Sequence, residues 1–232
     1  MSDTPSLEQF SPAERLTQKI KEHAGSNWIH DFEVRADKQI WSPENYAYRR
    51  RILEGLFATM LLDSSVLVLD EASGVYPALI ARAGARSVAA CSASDSTCEL
   101  MTELWEFLDV RATALNSRMV AFYDSEPYVE MQYGDSFEFV VVLNQIWPMF
   151  NAAGQSFDAL VEACAFPVTE GAVFDWTDAE WAKPAPPPEY NSAAFCDALR
   201  KKFEYVTQYS DWLIVAVGKL PAESDEPGQP TP

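Results

Sequence analysis

The segment from Val66 to Ser94, VLVLDEASGVYPALIARAGARSVAACSAS, constrains the fold more than any other part of the chain. An apolar run leads into a short acidic turn, a helical pattern follows, and Gly84 separates that pattern from a second apolar run. This order predicts a strand from Ser65 to Leu69, a helix from Pro77 to Ala83 and a strand from Ser87 to Cys91. Since strand, helix, strand units form right-handed crossovers between parallel strands, we expect a parallel sheet.

Similar patterns continue on both sides of this unit. Before it, capping signals at Ser11 and Ser42 start two helices, and the segment NWIHDFEVRADKQIW between them predicts an extended or hairpin structure. After it, FEFVVVL is the clearest buried strand, because near-continuous Val, Leu and Phe is typical of a strand covered on both faces. The remaining predictions are helices Thr97–Leu108, Gly154–Ala163 and Asn191–Lys202, strands Ala172–Trp176, Phe203–Gln208 and Trp212–Val217, the last two antiparallel, and a candidate third parallel strand at Met119–Tyr123.

Length and composition suit one main domain. The 232 residues, 48% of them hydrophobic, can bury one sizeable core. We predict an N-terminal helical and aromatic extension (1–63), an α/β domain (64–220) and a disordered acidic, proline-rich tail (221–232). No run approaches the roughly 20 apolar residues of a membrane span, and the polar N-terminus lacks a secretory layout. These features predict a cytoplasmic protein without a membrane partner.

Charge and cysteine spacing narrow the classes of partner. The formal net charge is -18, and 25 of the 35 acidic residues follow position 63. Such a surface repels phosphate backbones, so a nucleic-acid partner is not expected, and the basic run Arg49 to Arg51 is interpreted as a solvated helix face. The four cysteines show no CxxC spacing and lie far from the two histidines, so neither a metal site nor a disulfide framework is predicted.

Four segments together carry a resemblance to a known family. They are the Val66–Ser94 segment, FEFVVVLNQIW, SFDALVEACAFPVTEGAVFDW and NSAAFCDALRKKFEYVTQYSDWLIVAVGK. From about Arg50 to Lys219 the chain resembles the class I S-adenosylmethionine (SAM)-dependent methyltransferases. The N-terminal segment is similar to the DUF1698 group, which includes the wobble-uridine tRNA carboxymethyltransferase. The resemblance implies a Rossmann-like, doubly wound, mostly parallel seven-stranded sheet with a C-terminal antiparallel hairpin, an N-terminal helical extension, and SAM as cofactor.

The loop after the first strand of the domain is where this resemblance places the cofactor. The predicted cofactor-binding residues of the loop are Asp70, Glu71, Ala72, Ser73 and Gly74. Glycines are usual here because a Cβ would collide with ligand or backbone, and because some positions need positive φ. One alignment makes Gly74 the last family glycine and puts Val68 at the acidic position. A shifted alignment, Asp70-x-Ala72-x-Gly74, restores the acid, and the two remain alternatives.

The end of the second strand departs from the family pattern. The family has an acid there for the ribose hydroxyls, whereas this chain offers the neutral hydroxyl of Ser92, with Asp95 close enough for a local shift to supply the acid. Loss of a charge-assisted hydrogen bond costs about 1.5–3 kcal/mol, or about 10- to 150-fold in affinity. Asp124, after the candidate third strand, is either a contact to the adenine amine or an exposed turn residue.

Further candidate residues follow the fourth strand and lie in the extension. Asn144 is a predicted cofactor contact, and Gln145 and Trp147 are predicted to line a substrate pocket, the alternative being a capped strand end with a core tryptophan. Trp28 and His30 are placed in the same pocket and form a lid together with Trp41, the alternative being packing of the extension onto the domain. No catalytic residue is predicted.

Two functions follow as alternatives. The first is a SAM-dependent methyltransferase that acts on a small molecule by positioning donor and acceptor. The second is an inactive methyltransferase-like protein that serves as a binding or scaffolding module for a protein partner. The altered glycines and the missing acid favour the second alternative, and the broad resemblance favours the first.

Overall fold

The computed structural model describes residues 10–24, 32–42, 44–69, 73–92, 94–116, 137–143, 145–165, 168–176 and 185–221. Within these ranges the helices are α1 Pro12–Ala24, α2 Glu44–Met60, α3 Val75–Arg82, α4 Asp95–Leu108, α5 Ile146–Ala152, α6 Phe157–Ala165 and α7 Ser192–Leu199. The strands are β1 Glu33–Val34, β2 Ile40–Trp41, β3 Ser65–Leu69, β4 Ser87–Ser92, β5 Thr113–Asn116, β6 Phe137–Val142, β7 Val168–Asp175, β8 Phe203–Gln208 and β9 Leu213–Lys219. None of the described helices is both long and apolar enough to cross a membrane.

The main sheet has seven strands in the order β5-β4-β3-β6-β7-β9-β8. Strands β3 to β7 pair in parallel, and β9 pairs antiparallel with both β7 and β8. The predicted fold, a mostly parallel seven-stranded sheet ending in an antiparallel hairpin, is therefore confirmed. Because β3 pairs with β4 on one side and β6 on the other, the connections leave β3 in opposite directions, which opens a crevice at the carboxyl ends of β3 and β6.

Apolar cores cover both faces of the sheet. Alternate residues of β3 enter different clusters: Leu67 and Leu69 pack with α5, α6 and α7, whereas Val66 and Val68 pack with α1 to α4. The β3 residues in both clusters are shielded from solvent, since the side chains of Val66 to Leu69 are at most 3% exposed. A strand with both faces covered needs apolar side chains at successive positions, which explains the continuous pattern of β3 and β6.

The N-terminal extension packs on the same face as α3 and α4. Its first helix begins with the predicted capping box: Glu14 N donates to Ser11 Oγ at 3.3 Å, and Ser11 N donates to Glu14 Oε2 at 2.7 Å. The segment after α1 forms the hairpin β1–β2. Lys19 of α1 forms an ion pair with Glu103 of α4, and Phe32 is 1% exposed, so the extension shares the core of the domain.

Three predicted elements differ from the structure. The third parallel strand is β5, at Thr113–Asn116, whereas the predicted strand Met119–Tyr123 lies outside the described residues. Only Leu115 of β5 is buried, so this short edge strand carries almost no hydrophobic pattern. The helix predicted from Gly154 begins instead at Phe157, because Gly154 has φ +66° in the turn after α5. Helix α5 itself was not predicted, and β7 begins four residues earlier than expected.

Candidate functional site

The parallel strands bring polar residues to one edge of the sheet. Ser92 ends β4, Asn116 ends β5 and Asp175 ends β7, while Gly74 follows β3 and Gln145 follows β6. In an open parallel sheet this carboxyl edge, at the point where strand order reverses, is where ligands bind. The candidate site is therefore the carboxyl edge of the sheet from β5 through β4 and β3 to β6.

Gly74 forms the turn that leads into α3. Its backbone is left-handed, with φ 78° and ψ 0°, and its carbonyl accepts a hydrogen bond from Trp105 Nε1 at 2.8 Å. A Cβ at this position would lie 2.9 Å from Met101 Cγ and 3.0 Å from Met101 Cα. Met101 and Trp105 are four residues apart on α4, so both face the turn. Glycine is thus required twice, by the positive φ and by the close approach of α4.

The described part of this loop is packed inside the protein. Ser73 is 0% exposed, and its Oγ accepts a hydrogen bond from Val75 N at 3.3 Å. Tyr76, in the first turn of α3, is also buried and packs edge-on against Phe32 at 5.6 Å between ring centroids. The side chains of Ser73 and Tyr76 are therefore buried on the side of the sheet that carries α3, away from bulk solvent.

The position of Gly74 bears on the two alignments of the loop. Gly74 stands directly before α3, which is where the first alignment places the last family glycine. In that alignment Val68 takes the acidic position, and Val68 is an apolar core residue of β3. Asp70, Glu71 and Ala72 lie outside the described residues, so their contacts with a cofactor stay predictions.

The turn after β4 is polar and open. Ser94 Oγ accepts a hydrogen bond from Thr97 N at 3.3 Å and caps α4. Asp95, the first residue of α4, is exposed and accepts a hydrogen bond from the Asn116 side-chain amide at the end of β5. Ser92 is buried, and its carbonyl accepts a weak hydrogen bond from Cys98 Sγ at 3.8 Å. A carboxylate therefore lies three residues beyond the position where the family has its acid.

Cys98 lies beside this carboxylate without being activated by it. Burial, and then the negative charge of Asp95, raise the pKa of the Cys98 thiol. A raised pKa keeps the thiol protonated at neutral pH, and the thiolate is the nucleophilic form. The arrangement gives no support to a catalytic cysteine at this edge.

The residues after β6 face different surroundings. Gln145 is half-buried at the start of α5. Trp147 is 8% exposed and packs against Tyr190 and Phe150, with ring centroids 4.9 Å and 6.1 Å away. These rings belong to an aromatic cluster that also contains Phe157, Trp176 and Phe195. The placement matches the alternative in which Trp147 is a core residue, and its contact with a substrate stays a prediction.

One acidic residue at this edge was missed by the sequence analysis. Asp175 is 0% exposed, although it ends β7 beside the candidate site. It pairs with Leu213, and the next residue, Trp176, donates its backbone N–H to Trp212 O at 2.7 Å. The signal was present in the letters AVFDW, where an acid directly follows a buried apolar run.

The basic run of α2 is used within the protein. The Arg50 side chain bonds Ile40 O, Ser42 Oγ and Glu54, and the guanidinium carbon of Arg49 lies 5.1 Å from the Trp212 ring centroid. The expectation of a simple solvated face was wrong for these two arginines, because Arg50 contacts the end of the β1–β2 hairpin and Arg49 contacts Trp212, just before β9. Four further predicted residues, Trp28, His30, Asp124 and Asn144, lie outside the described residues. Since β5 ends at Asn116, Asp124 no longer directly follows the third strand.

Comparison with known proteins rests on structure. No protein-family model and no curated protein matches the sequence. Among solved structures, the chain is similar to magnesium protoporphyrin IX methyltransferase (ChlM) from Synechocystis PCC 6803, solved with bound SAM, with a TM-score of 0.55, 13% identity, and coverage of 94% of this chain and 100% of that chain. The chain has the class I methyltransferase fold.

Two further structures support the same fold. The N-methyltransferase NodS from Bradyrhizobium japonicum WM9 gives a TM-score of 0.53 at 9% identity, with 77% of this chain and 98% of that chain covered. A putative SAM-dependent methyltransferase from Streptococcus mutans gives 0.52 at 12% identity, with 74% and 48% covered. Similarity to the wobble-uridine tRNA group stays a prediction.

Proposed function

We propose that this protein is a SAM-dependent methyltransferase that acts on a small molecule. The observation that carries the proposal is the exposed carboxylate of Asp95, which accepts a hydrogen bond from Asn116 at the carboxyl edge of the sheet, where strand order reverses. Ligands of open parallel sheets bind at this point. The structural neighbour ChlM, which has the same fold, was solved with SAM bound.

The described residues fit this cofactor at the nucleoside end through Asp95. A ribose needs an acceptor for its hydroxyls, and the carboxylate of Asp95 lies at the carboxyl edge. Asn116 donates a hydrogen bond to one oxygen of Asp95 and so orients the carboxylate. In this proposal Asp95 takes the part that the family gives to the residue at Ser92, and Asn116 holds it in place.

The remaining contacts come from the loops after β3 and β6. Residues 70–74 would surround the methionine part of the cofactor, and Asn144 and Gln145 would face the reacting centre. When bound, SAM supplies an electrophilic methyl group on a positively charged sulfur. The protein's part is to hold donor and acceptor in line and to exclude water, and such positioning contributes much of the rate enhancement.

Charge supports a small-molecule acceptor. The formal net charge of -18 disfavours a polyanionic substrate, and Arg49 and Arg50 are engaged within the protein. A neutral or cationic small molecule avoids this repulsion. We therefore assign the acceptor to that class.

Calorimetric titration with SAM and S-adenosylhomocysteine tests the proposal. The variant Asp95→Asn tests whether Asp95 contacts the cofactor. We expect micromolar binding in the wild type and about 10- to 150-fold weaker binding in Asp95→Asn, the range for loss of one hydrogen bond to a charged group. Glu99→Gln is the matched control, because Glu99 is an exposed acid one turn further along α4. Equal weakening in both variants would show a general charge effect and remove Asp95 from the site.

A second candidate function is a binding module without catalysis. It is favoured by the burial of Ser73 and Tyr76 and by the close contact between Met101 and Gly74. No heat and no thermal shift with millimolar SAM or S-adenosylhomocysteine would support this candidate and contradict the enzyme. A bulky substitution of Gly74 is a poor test of either function, since the contact with Met101 makes it a stability variant.

A further inference from the structure

A groove lies between α4 and β5, on the side of α4 next to the edge strand. It is wide open to solvent, has a volume of about 450 Å³ and is lined by Cys98, Glu99, Thr102, Glu103, Glu106, Ala114 and Asn116. Except for Asn116, none of these residues belongs to the cofactor site proposed above. We call this feature the α4–β5 groove.

Strand β5 is the edge strand of the main sheet. It pairs with β4 on one side, and no described strand pairs with its other side. The outer edge of such a strand presents backbone N–H and C=O groups, which can pair with an added strand from another chain. Thr113 and Asn116 are exposed, and Ala114 is half-buried in the wall of the groove. The groove and the edge are therefore continuous.

The helix wall of the groove is acidic. Glu99, Glu103 and Glu106 lie along one face of α4, three and four residues apart. Glu103 forms an ion pair with Lys19, whereas within the described chain no cation lies within 4 Å of the carboxylates of Glu99 and Glu106. An occupant with positive side chains on the helix-facing side would neutralise both.

We propose that the α4–β5 groove binds a Lys/Arg-bearing extended segment of a partner protein, which adds to β5 as a strand. Backbone pairing with β5 supplies affinity, and Glu99 and Glu106 select alternate basic side chains, since side chains of a strand alternate in direction. Apart from Asn116, the surface lies outside the cofactor site proposed above, and the proposal does not depend on methyltransferase activity.

Charge distinguishes this occupant from two others. The chain's own residues 117–136 contain four acidic residues and one basic residue, so their charge does not complement the groove. A second copy of the chain carries a net charge of -18, which repels an acidic surface. A basic segment from a different protein is the occupant that the charges favour.

The test uses the full chain and a fluorescein-labelled peptide of alternating lysine and valine, KVKVKV. Binding is measured by fluorescence anisotropy at low salt. We expect Glu99→Gln/Glu106→Gln to weaken binding about tenfold. The control Glu170→Gln/Glu189→Gln has the same net charge and changes exposed acids on β7 and before α7, so it should bind like the wild type. Ala114→Lys, which fills the groove and adds a positive charge, should abolish binding.

A second peptide separates strand addition from simple charge attraction. The same sequence with N-methyl groups on alternate backbone nitrogens cannot pair with a strand edge, and we expect it to lose binding. Equal binding of the methylated peptide, equal competition by spermidine, or equal loss in the two double variants would each overturn the proposal. Absence of any binding by KVKVKV at millimolar concentration would do the same. Circular dichroism of each variant confirms that the fold is retained.

Discussion

Two consecutive turns at the same edge of the sheet are built in opposite ways. The β3–α3 turn ends in Gly74, whose backbone is held by Met101 and Trp105 of α4. The β4–α4 turn ends in Ser94, whose side chain caps the helix, and in Asp95, whose side chain is exposed. The first turn is determined by packing against the neighbouring helix. The second is determined by local hydrogen bonds, which leaves its exposed side chain available to a ligand.

This difference separates two roles that nucleotide-binding loops usually combine. A glycine at the start of the first crossover helix can serve close packing of helices as well as approach of a ligand. Here the contact with Met101 explains the glycine without any ligand. The retained Gly74 is consequently evidence for the fold, whereas the chemistry of the edge is better sought at Asp95.

The largest expected effect comes from adding a Cβ to the packed turn. Gly74→Ala should destabilise the protein by about 2–5 kcal/mol, through a non-glycine residue in the left-handed region and overpacking against Met101. Gly154→Ala is the matched control, because its φ is also positive, at +66°, but apart from its chain neighbours no atom of the described residues lies within 4 Å of the added Cβ. The control should cost about 1–2 kcal/mol.

Urea unfolding followed by circular dichroism measures both variants of this comparison. Equal losses at Gly74 and Gly154 would mean that backbone conformation alone accounts for the glycine. That result would contradict the inference that packing against Met101 requires a glycine at position 74. The contrast between a packed β3–α3 turn and an open β4–α4 turn would then fail.

The next effect comes from the hydrogen bond that closes the packed turn. Trp105→Phe removes one of two donors to the Gly74 carbonyl, since Ala78 N also donates to it at 3.3 Å. We expect a cost of about 1.5 kcal/mol, the upper end of the range for one hydrogen bond, because Trp105 is buried. Trp147→Phe serves as the control, since Trp147 is also largely buried and its indole forms no hydrogen bond within the described chain. The loss at position 105 should exceed that at position 147 in the same urea titration. The reverse order would show that ring packing, rather than the hydrogen bond, fixes the turn.

The framework could be predicted from the sequence because burial leaves a pattern. Strands β3 and β6 are covered on both faces, so their apolar runs are continuous, and the capping box at Ser11 marks the start of a helix. Strand β5 could not be found in this way, since it is short, lies at the edge and buries only Leu115. Its position is determined by pairing with β4, a long-range interaction that leaves no periodicity in the letters TALN.

The candidate site was predictable in its location and less so in its contacts. Strand ends indicated Ser92 and Gln145, and both lie at the carboxyl edge. The sequence did not reveal that Asn116 reaches Asp95, because that contact depends on the register of β5. The sequence also did not reveal that Met101 and Trp105 contact Gly74. Their spacing indicates that they lie on a buried face of α4, but it does not indicate which part of the protein that face contacts.

The smallest expected effect concerns the cap of the open turn. Ser94→Ala removes the acceptor for Thr97 N and should cost about 1 kcal/mol, the usual value for loss of a helix N-cap. Ser94→Asp keeps an acceptor at the N-terminus and should restore most of that stability. Both variants are measured by thermal and urea unfolding, and calorimetric titration with SAM then shows whether Asp95 is affected.

Because the cap is local, we expect Ser94→Ala to leave SAM affinity within about twofold of the wild type, a difference of roughly 0.4 kcal/mol. A loss of stability comparable to that of Gly74→Ala would mean that tertiary packing holds the second turn as well. The accessible carboxylate of Asp95 would then be part of a rigid wall, and the contrast between the two turns would fail at the position where the proposed function depends on it.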